Sequence, residues 1–208
     1  MNKLLFLPVA IKTKYGLIAL CLSLFLWPTI VSAGTDEEGF VRINAAAGLA
    51  ILSDKSLDEA QRTDKFEQFI DQVVDVRKVA RFVLGKYARG VEAQVFSNFQ
   101  DAFTGYAKSI YQDNLSKYGG ESIVVTGSID RKPGDAIVET IISRGALDKP
   151  LKVRWRVRTK DGVSKIIDLE AFGVWLAVQQ RSEITAYIAN NGGSVAAATT
   201  MLQQRANN

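Results

Sequence analysis

The apolar residues of this 208-residue chain keep one period up to Tyr118-Gly119-Gly120 and a different one beyond it. From Gly34 to that point there is no proline, and Phe, Ile, Val and Ala recur every three or four residues, the spacing of one helix face. Past it, apolar and polar residues alternate, which suits strands with two unlike faces. Helices first and strands afterwards describe an α+β fold, with helices packed on an antiparallel sheet.

The helical half divides at capping signals. A first helix is expected from Asp36 to Leu52, and a second from near Ser56, burying Phe66, Phe69, Ile70 and Val73. Asp75 suits the cap of a short third helix that ends near Gly85. The fourth and longest runs from about Val91 to Leu115, with Val95, Phe99, Phe103, Tyr106 and Ile110 along one face. Four strands follow. Ile123 to Thr126 and Ile137 to Ile142 flank the turn Lys132-Pro133-Gly134. Leu151, Val153, Trp155 and Val157 alternate with Lys152, Arg154, Arg156 and Arg158, so this third strand reads as one buried and one wet face. Ile167, Leu169 and Ala171 read as the inner face of the fourth, with Asp168 and Glu170 outside. A helix from Val174 to Ile188 and a last one from Ser194 to about Gln204 close the chain.

The first 33 residues differ from the rest. Lys3, Lys12 and Lys14 precede an uncharged apolar run from Leu17 to Trp27, and Val31-Ser32-Ala33 supplies a small-x-small cleavage site. We read residues 1–33 as a cleaved signal peptide and residues 34–208 as one domain. The single cysteine, Cys21, falls inside the leader, and the chain has no histidine. A body without Cys or His lacks the side chains of most transition-metal sites and of the common nucleophile–base pairs, so neither a metal nor a cofactor is expected. The body carries 23 basic and 22 acidic residues. That balance gives little electrostatic drive toward nucleic acid.

The carboxylates Asp135, Glu139, Asp168 and Glu170 are scattered over strand positions that read as outward. A sheltered acid with a shifted pKa, which an isomerase of similar α+β shape would need, is therefore not expected, and the chain reads as a non-enzyme. The basic row on the third strand reads as a solvated face paired with Asp168 and Glu170, with Arg154 and Arg156 as the candidates for partner docking.

Three stretches resemble the MlaC family, also called the toluene-tolerance family, of periplasmic phospholipid carriers. The first is Asp75 through Tyr87, with Leu84-Gly85 before an aromatic. The second is the helix from Phe96 through Phe103 to Tyr111, leading into Tyr118-Gly119-Gly120-Glu121-Ser122. The third joins Lys165-Ile166-Ile167-Asp168 to Gly173-Val174, Gln180-Arg181-Ser182-Glu183 and Asn191-Gly192-Gly193. Trp175 stands where the family usually has serine, and Ile184 where it usually has phenylalanine, so the cavity is expected to be reshaped near its mouth or lining. The resemblance implies a curved four-stranded sheet and helices around an apolar cavity that takes a phospholipid. It further implies a monomeric shuttle between an outer-membrane lipoprotein complex and an inner-membrane MCE-protein/ABC-transporter complex. A hopanoid or other amphiphile, or a lipid-free interaction module, are the alternatives. Periodicity and resemblance together nominate Phe82, Phe99, Phe103, Tyr106, Val153, Trp155, Val157, Ile167, Leu169 and Trp175 as the pocket lining.

Overall fold

The structure is a computed structural model that describes residues 34–115, 120–143 and 149–207. The expected leader and the helix stop at Tyr118-Gly119 lie outside them. Four helices come first: α1 (Gly34–Ser53), α2 (Glu59–Val73), α3 (Val76–Val83) and α4 (Ala93–Leu115), with a 3-10 turn at Gly85–Ala88. Local chemistry sets their starts. Asp58 begins α2 with a reciprocal cap: its carboxylate accepts from Gln61 N at 2.8 Å, and Gln61 Oε1 accepts from Asp58 N at 3.2 Å. Asp75 caps α3 by accepting from Lys78 N at 2.9 Å.

The strands β1 (Ser122–Lys132), β2 (Asp135–Ser143), β3 (Leu151–Lys160), β4 (Val163–Ala171) and β5 (Val174–Trp175) form one open antiparallel sheet in chain order. Helices α5 (Leu176–Asn190) and α6 (Val195–Ala206) follow. The sheet thus has five strands where four were expected. The extra one arises because Phe172 and Gly173 both adopt positive φ, 53° and 81°, which folds Val174-Trp175 back onto β4 before α5 begins. β1 also runs past Thr126, because a register shift at Thr126 lets the strand continue through Gly127. The β1–β2 turn needs its glycine. Gly134 has φ 69°, and a Cβ there would sit 2.5 Å from the Thr159 carbonyl oxygen.

Apolar side chains gather in two separate clusters. The larger lies among the helices: Val83, Leu84, Phe96, Phe99, Ile184, Ile188 and Leu202 interlock between α3, α4, α5 and α6. The smaller lies between α1 and one face of the sheet. Val41 and Phe40 of α1 pack on Val138, Val157, Val125 and Trp155.

Candidate functional site

Register assigns the two faces of the sheet. Ala136, Val138 and Thr140 of β2 pair with Val157, Trp155 and Val153 of β3, and Trp155 and Val153 pair in turn with Leu169 and Ala171 of β4. These residues share the face that α1 covers. Two linked hydrogen bonds cross it: Trp155 Nε1 donates to Thr140 Oγ1 at 2.8 Å, and that hydroxyl donates to the Val153 carbonyl at 3.1 Å. Helix α1 sits on this face through few polar anchors. Thr159 Oγ1 donates to Glu37 Oε1 at 2.6 Å, and Ser128 Oγ donates to Glu38 Oε1 at 2.7 Å. Glu37 is almost wholly buried, and its Oε2 has no hydrogen-bond partner among the described residues, an arrangement that weakens α1's hold on the sheet.

The opposite face is charged and, contrary to expectation, is not a wet face. Helices α3 and α5 cover it, and its arginines are partly buried. Arg154 pairs with Glu170 and lies 5.4 Å over the Trp175 ring. Arg156 places Nε and Nη2 on the two oxygens of buried Asp135 at 3.0 and 2.8 Å. Lys152 pairs with Glu139 at 2.9 Å. Burial works against the Asp135 charge, but the Arg156 hydrogen bond and the charges of Arg156, Arg131 and Arg158 hold its carboxyl below the ordinary value. Asp168 goes the other way. Burial pushes its pKa up, although Ala177 N and Leu169 N both donate to its Oδ1. The expectation that the strand carboxylates point outward is therefore corrected for three of them: Asp135 and Glu170 are buried, and the start of α5 packs over Asp168.

A bulge in β4 makes a second correction. Arg156 pairs with Asp168 and Val157 with Ile166, leaving Ile167 as the extra residue. Ile166 thus takes the face expected for Ile167. Ile167 instead lines, with Lys78 and Phe82 of α3, Arg156 and Arg158 of β3, and Asp168, a cavity of about 260 Å³ on the charged side. A one-residue slip reverses faces, and strict alternation read from sequence does not register it.

The ten nominated pocket residues fall into three places. Val153, Trp155, Val157 and Leu169 share the face under α1. Phe82 and Ile167 line the charged-side cavity, and Trp175 lies on that same side beneath Arg154. Phe99 and Phe103, with ring centroids 6.2 Å apart, belong to the helical core because α6 packs along α4, and Tyr106 packs against them. Ile184 is also buried in that core rather than at a cavity mouth. Sequence reasoning missed Phe40 and Val41, which complete the apolar contact with the sheet. It also missed an exposed apolar run at the β4–β5 turn, where Phe172 is 84% exposed and Val174, Leu176 and Val178 follow. The hint for the latter was the alternation Phe172, Val174, Leu176 at the mouth of a helix.

Among the described residues no cluster of His, Cys, Asp or Glu is arranged to hold a metal ion, and no helix is long and apolar enough to cross a membrane. An open antiparallel sheet with one apolar face under a single helix, and with the main helical core elsewhere, defines an α+β fold. The chain belongs to the MlaC protein family, whose model matches residues 44–204. No curated protein matches it in sequence. Its fold is shared with a phospholipid-binding protein from Ralstonia solanacearum solved in complex with a phospholipid: TM-score 0.72, 19% identity, 82% of this chain and 96% of that chain covered.

Proposed function

We propose that this protein is a phospholipid carrier, working in the periplasm after removal of residues 1–33. It would shuttle lipid between an outer-membrane complex and an inner-membrane MCE-protein/ABC-transporter complex, and it would perform no catalysis. The observation that carries the reading is the apolar sheet face of Val138, Val153, Trp155, Val157 and Leu169, walled off from the helical core and covered by α1 through Phe40 and Val41. Family membership and the phospholipid held by a protein of the same fold support the same cargo.

In this reading the acyl chains take the place of α1 on the sheet. Two chains of about 16 carbons, at ~0.8 kcal/mol per buried methylene, cost roughly 25 kcal/mol to expose to water. Free diffusion of the lipid is negligible, so a protein must shelter it. The weak polar anchoring of α1 by Glu37 and Glu38 suits a cover that lifts. The carboxylates suit structure better than chemistry: Asp135 is tied to Arg156, and Asp168 receives two backbone N–H groups.

The test is native mass spectrometry of the secreted protein, with organic extraction of bound material. A stoichiometric phospholipid is the expected result. A hopanoid would keep the carrier and change the cargo. A bare protein mass, together with no uptake from labelled phosphatidylethanolamine vesicles, would sink the proposal. Trp155 and Trp175 are the only tryptophans beyond the leader. In Trp175→Phe, lipid loading should therefore change the fluorescence of Trp155 alone.

A further inference from the structure

The cation row of β3 is only partly explained by its neighbours. Arg154 and Arg156 are each neutralised by a carboxylate, and Lys152 meets Glu139. Arg158 has no hydrogen-bond or ion-pair partner among the described residues. Asp135 stands opposite it on β2, but its carboxylate is taken by Arg156, and it acts on Arg158 as a charge without a hydrogen bond or ion pair. Its cross-strand partner on β4 is Lys165, a second cation, whose ammonium is held by the carbonyl of Gln72. Like charges opposite each other on adjacent strands destabilise a sheet.

Arg158 lines the 260 Å³ cavity already described. Lys78 enters it from α3, held by Asp75 at 3.3 Å. Arg156 enters from β3 with its orientation fixed by the fork onto Asp135, which occupies two of its five N–H donors. Phe82 and Ile167 form apolar walls, and walls of low polarity strengthen charge interactions inside. One lining group is acidic. Asp168 has Oδ1 engaged by Leu169 N and Ala177 N, and burial disfavours its charge. Cations thus converge on one partly open cavity from a helix and from a strand, and one of them has no hydrogen-bond or ion-pair partner among the described residues.

We propose that this cavity, between α3 and the charged face of β3 and β4, is a binding site for a phosphate group. A compact oxyanion with several acceptor oxygens can take donors from Lys78, Arg156 and Arg158 at once, which a single carboxylate does less well. The phosphate has two possible sources: free inorganic phosphate, or the phosphate of an anionic lipid headgroup. The inference stands apart from the carrier reading, because it concerns the face of the sheet opposite the apolar one.

The experiment titrates inorganic phosphate and glycerol 3-phosphate into the protein by calorimetry in a phosphate-free buffer, with thermal unfolding alongside. Saturable binding is expected, with a Tm that rises with phosphate concentration. Arg158→Gln should weaken binding about tenfold or more, while its own Tm in the absence of phosphate changes little, since the variant removes both the repulsion from Lys165 and the attraction to Asp135. A Tm that holds while binding falls separates loss of the site from loss of the fold. Lys78→Gln, on an exposed helix position, gives an independent second variant and should weaken binding as well. Pickup from phosphatidylglycerol vesicles tells the sources apart. Reduced pickup in Arg158→Gln assigns the site to a headgroup, and unchanged pickup assigns it to free phosphate. Absence of saturable binding to either phosphate compound, or binding unaltered in both variants, overturns the proposal without touching the carrier reading.

Discussion

Replacing Asp135 with asparagine isolates the contribution of the charge buried between β2 and β3. Asp135 is 2% exposed and holds Arg156 by two bonds of 3.0 and 2.8 Å. Asparagine keeps the shape and one acceptor oxygen but loses the charge. Hydrogen bonds to charged groups contribute about 1.5–3 kcal/mol, and breaking a fully buried pair costs about 3–5 kcal/mol. The Arg156 side chain keeps 27% of its surface exposed and can regain water. The lower part of that range applies, about 2–3 kcal/mol at pH 7. For a body of this size that is a fall in Tm of about 4–12 °C. The pH dependence is the sharper test. The folded-state pKa of Asp135 lies below the unfolded value of 3.8. Its stabilisation is therefore complete above 3.8 and disappears as pH falls through the folded-state value. Urea unfolding at pH 7, 5, 4 and 3 should show the wild-type and D135N stabilities converging at the acid end. A gap that stays constant down to pH 3, or a gap at pH 7 below about 0.5 kcal/mol, would refute the assignment of this energy to the Arg156–Asp135 charge pair.

Asp168 should behave oppositely. Its folded-state pKa is raised, so the stability linked to it is full below 3.8 and is lost as pH rises through the folded-state value. Asp168→Asn keeps an oxygen for Leu169 N and Ala177 N, and it should match or exceed the wild type in urea at pH 7, with a flatter profile above pH 3.8. Phe172→Asn should raise stability by about 0.5–1 kcal/mol, because Asn tolerates the positive φ that Phe172 holds while exposing its ring. Calorimetric unfolding measures it, and a loss of stability would show that the Phe172 ring has a packing role. Gly134→Ala should cost at least about 1–3 kcal/mol, from the left-handed backbone and the approach to the Thr159 carbonyl. A smaller loss in the same denaturation assay would mean that the β1–β2 turn relaxes.

Hydrophobic period was enough to read the helices and the meander, because each element buries one side against a partner. Asp75 marked a helix start through chemistry local to four residues. What escaped were features set by pairing. Whether Ile167 or Ile166 faces α1 depends on a bulge opposite Arg156 and Val157, and β5 exists only because Phe172 and Gly173 turn the chain back. The candidate site was legible by half. Val153, Trp155, Val157 and Leu169 do share one face, as alternation requires. Phe99 and Phe103 form an equally good apolar stripe, yet α6 fills it. A stripe reports that a face is covered and is silent about what covers it. The charged face misled in the same way, since alternation distinguishes polar from apolar and not wet from covered.

The cover over the apolar face sets the balance of the proposed carrier. Lipid arriving from a bilayer already has its tails sheltered, so the roughly 25 kcal/mol of tail burial cancels between membrane and protein. What remains is the contact that α1 gives up, chiefly Phe40 and Val41, at about 1.5–3 kcal/mol for each buried side chain. A penalty of this size would keep the protein from outcompeting the membrane and leave loading to be tipped by docking partners. Val41→Ala should then act in two directions at once. Loss of its buried methyl groups lowers the stability of the empty protein by about 1–3 kcal/mol, and the same loss favours the lipid-loaded form by a similar amount, about five- to 150-fold in partition. Equilibrium loading from vesicles of fixed composition, measured beside urea unfolding of the delipidated protein, reads both. If the variant is less stable and also holds less lipid, α1 is part of the wall around the acyl chains rather than the element they displace, and the opening step proposed for this fold is wrong.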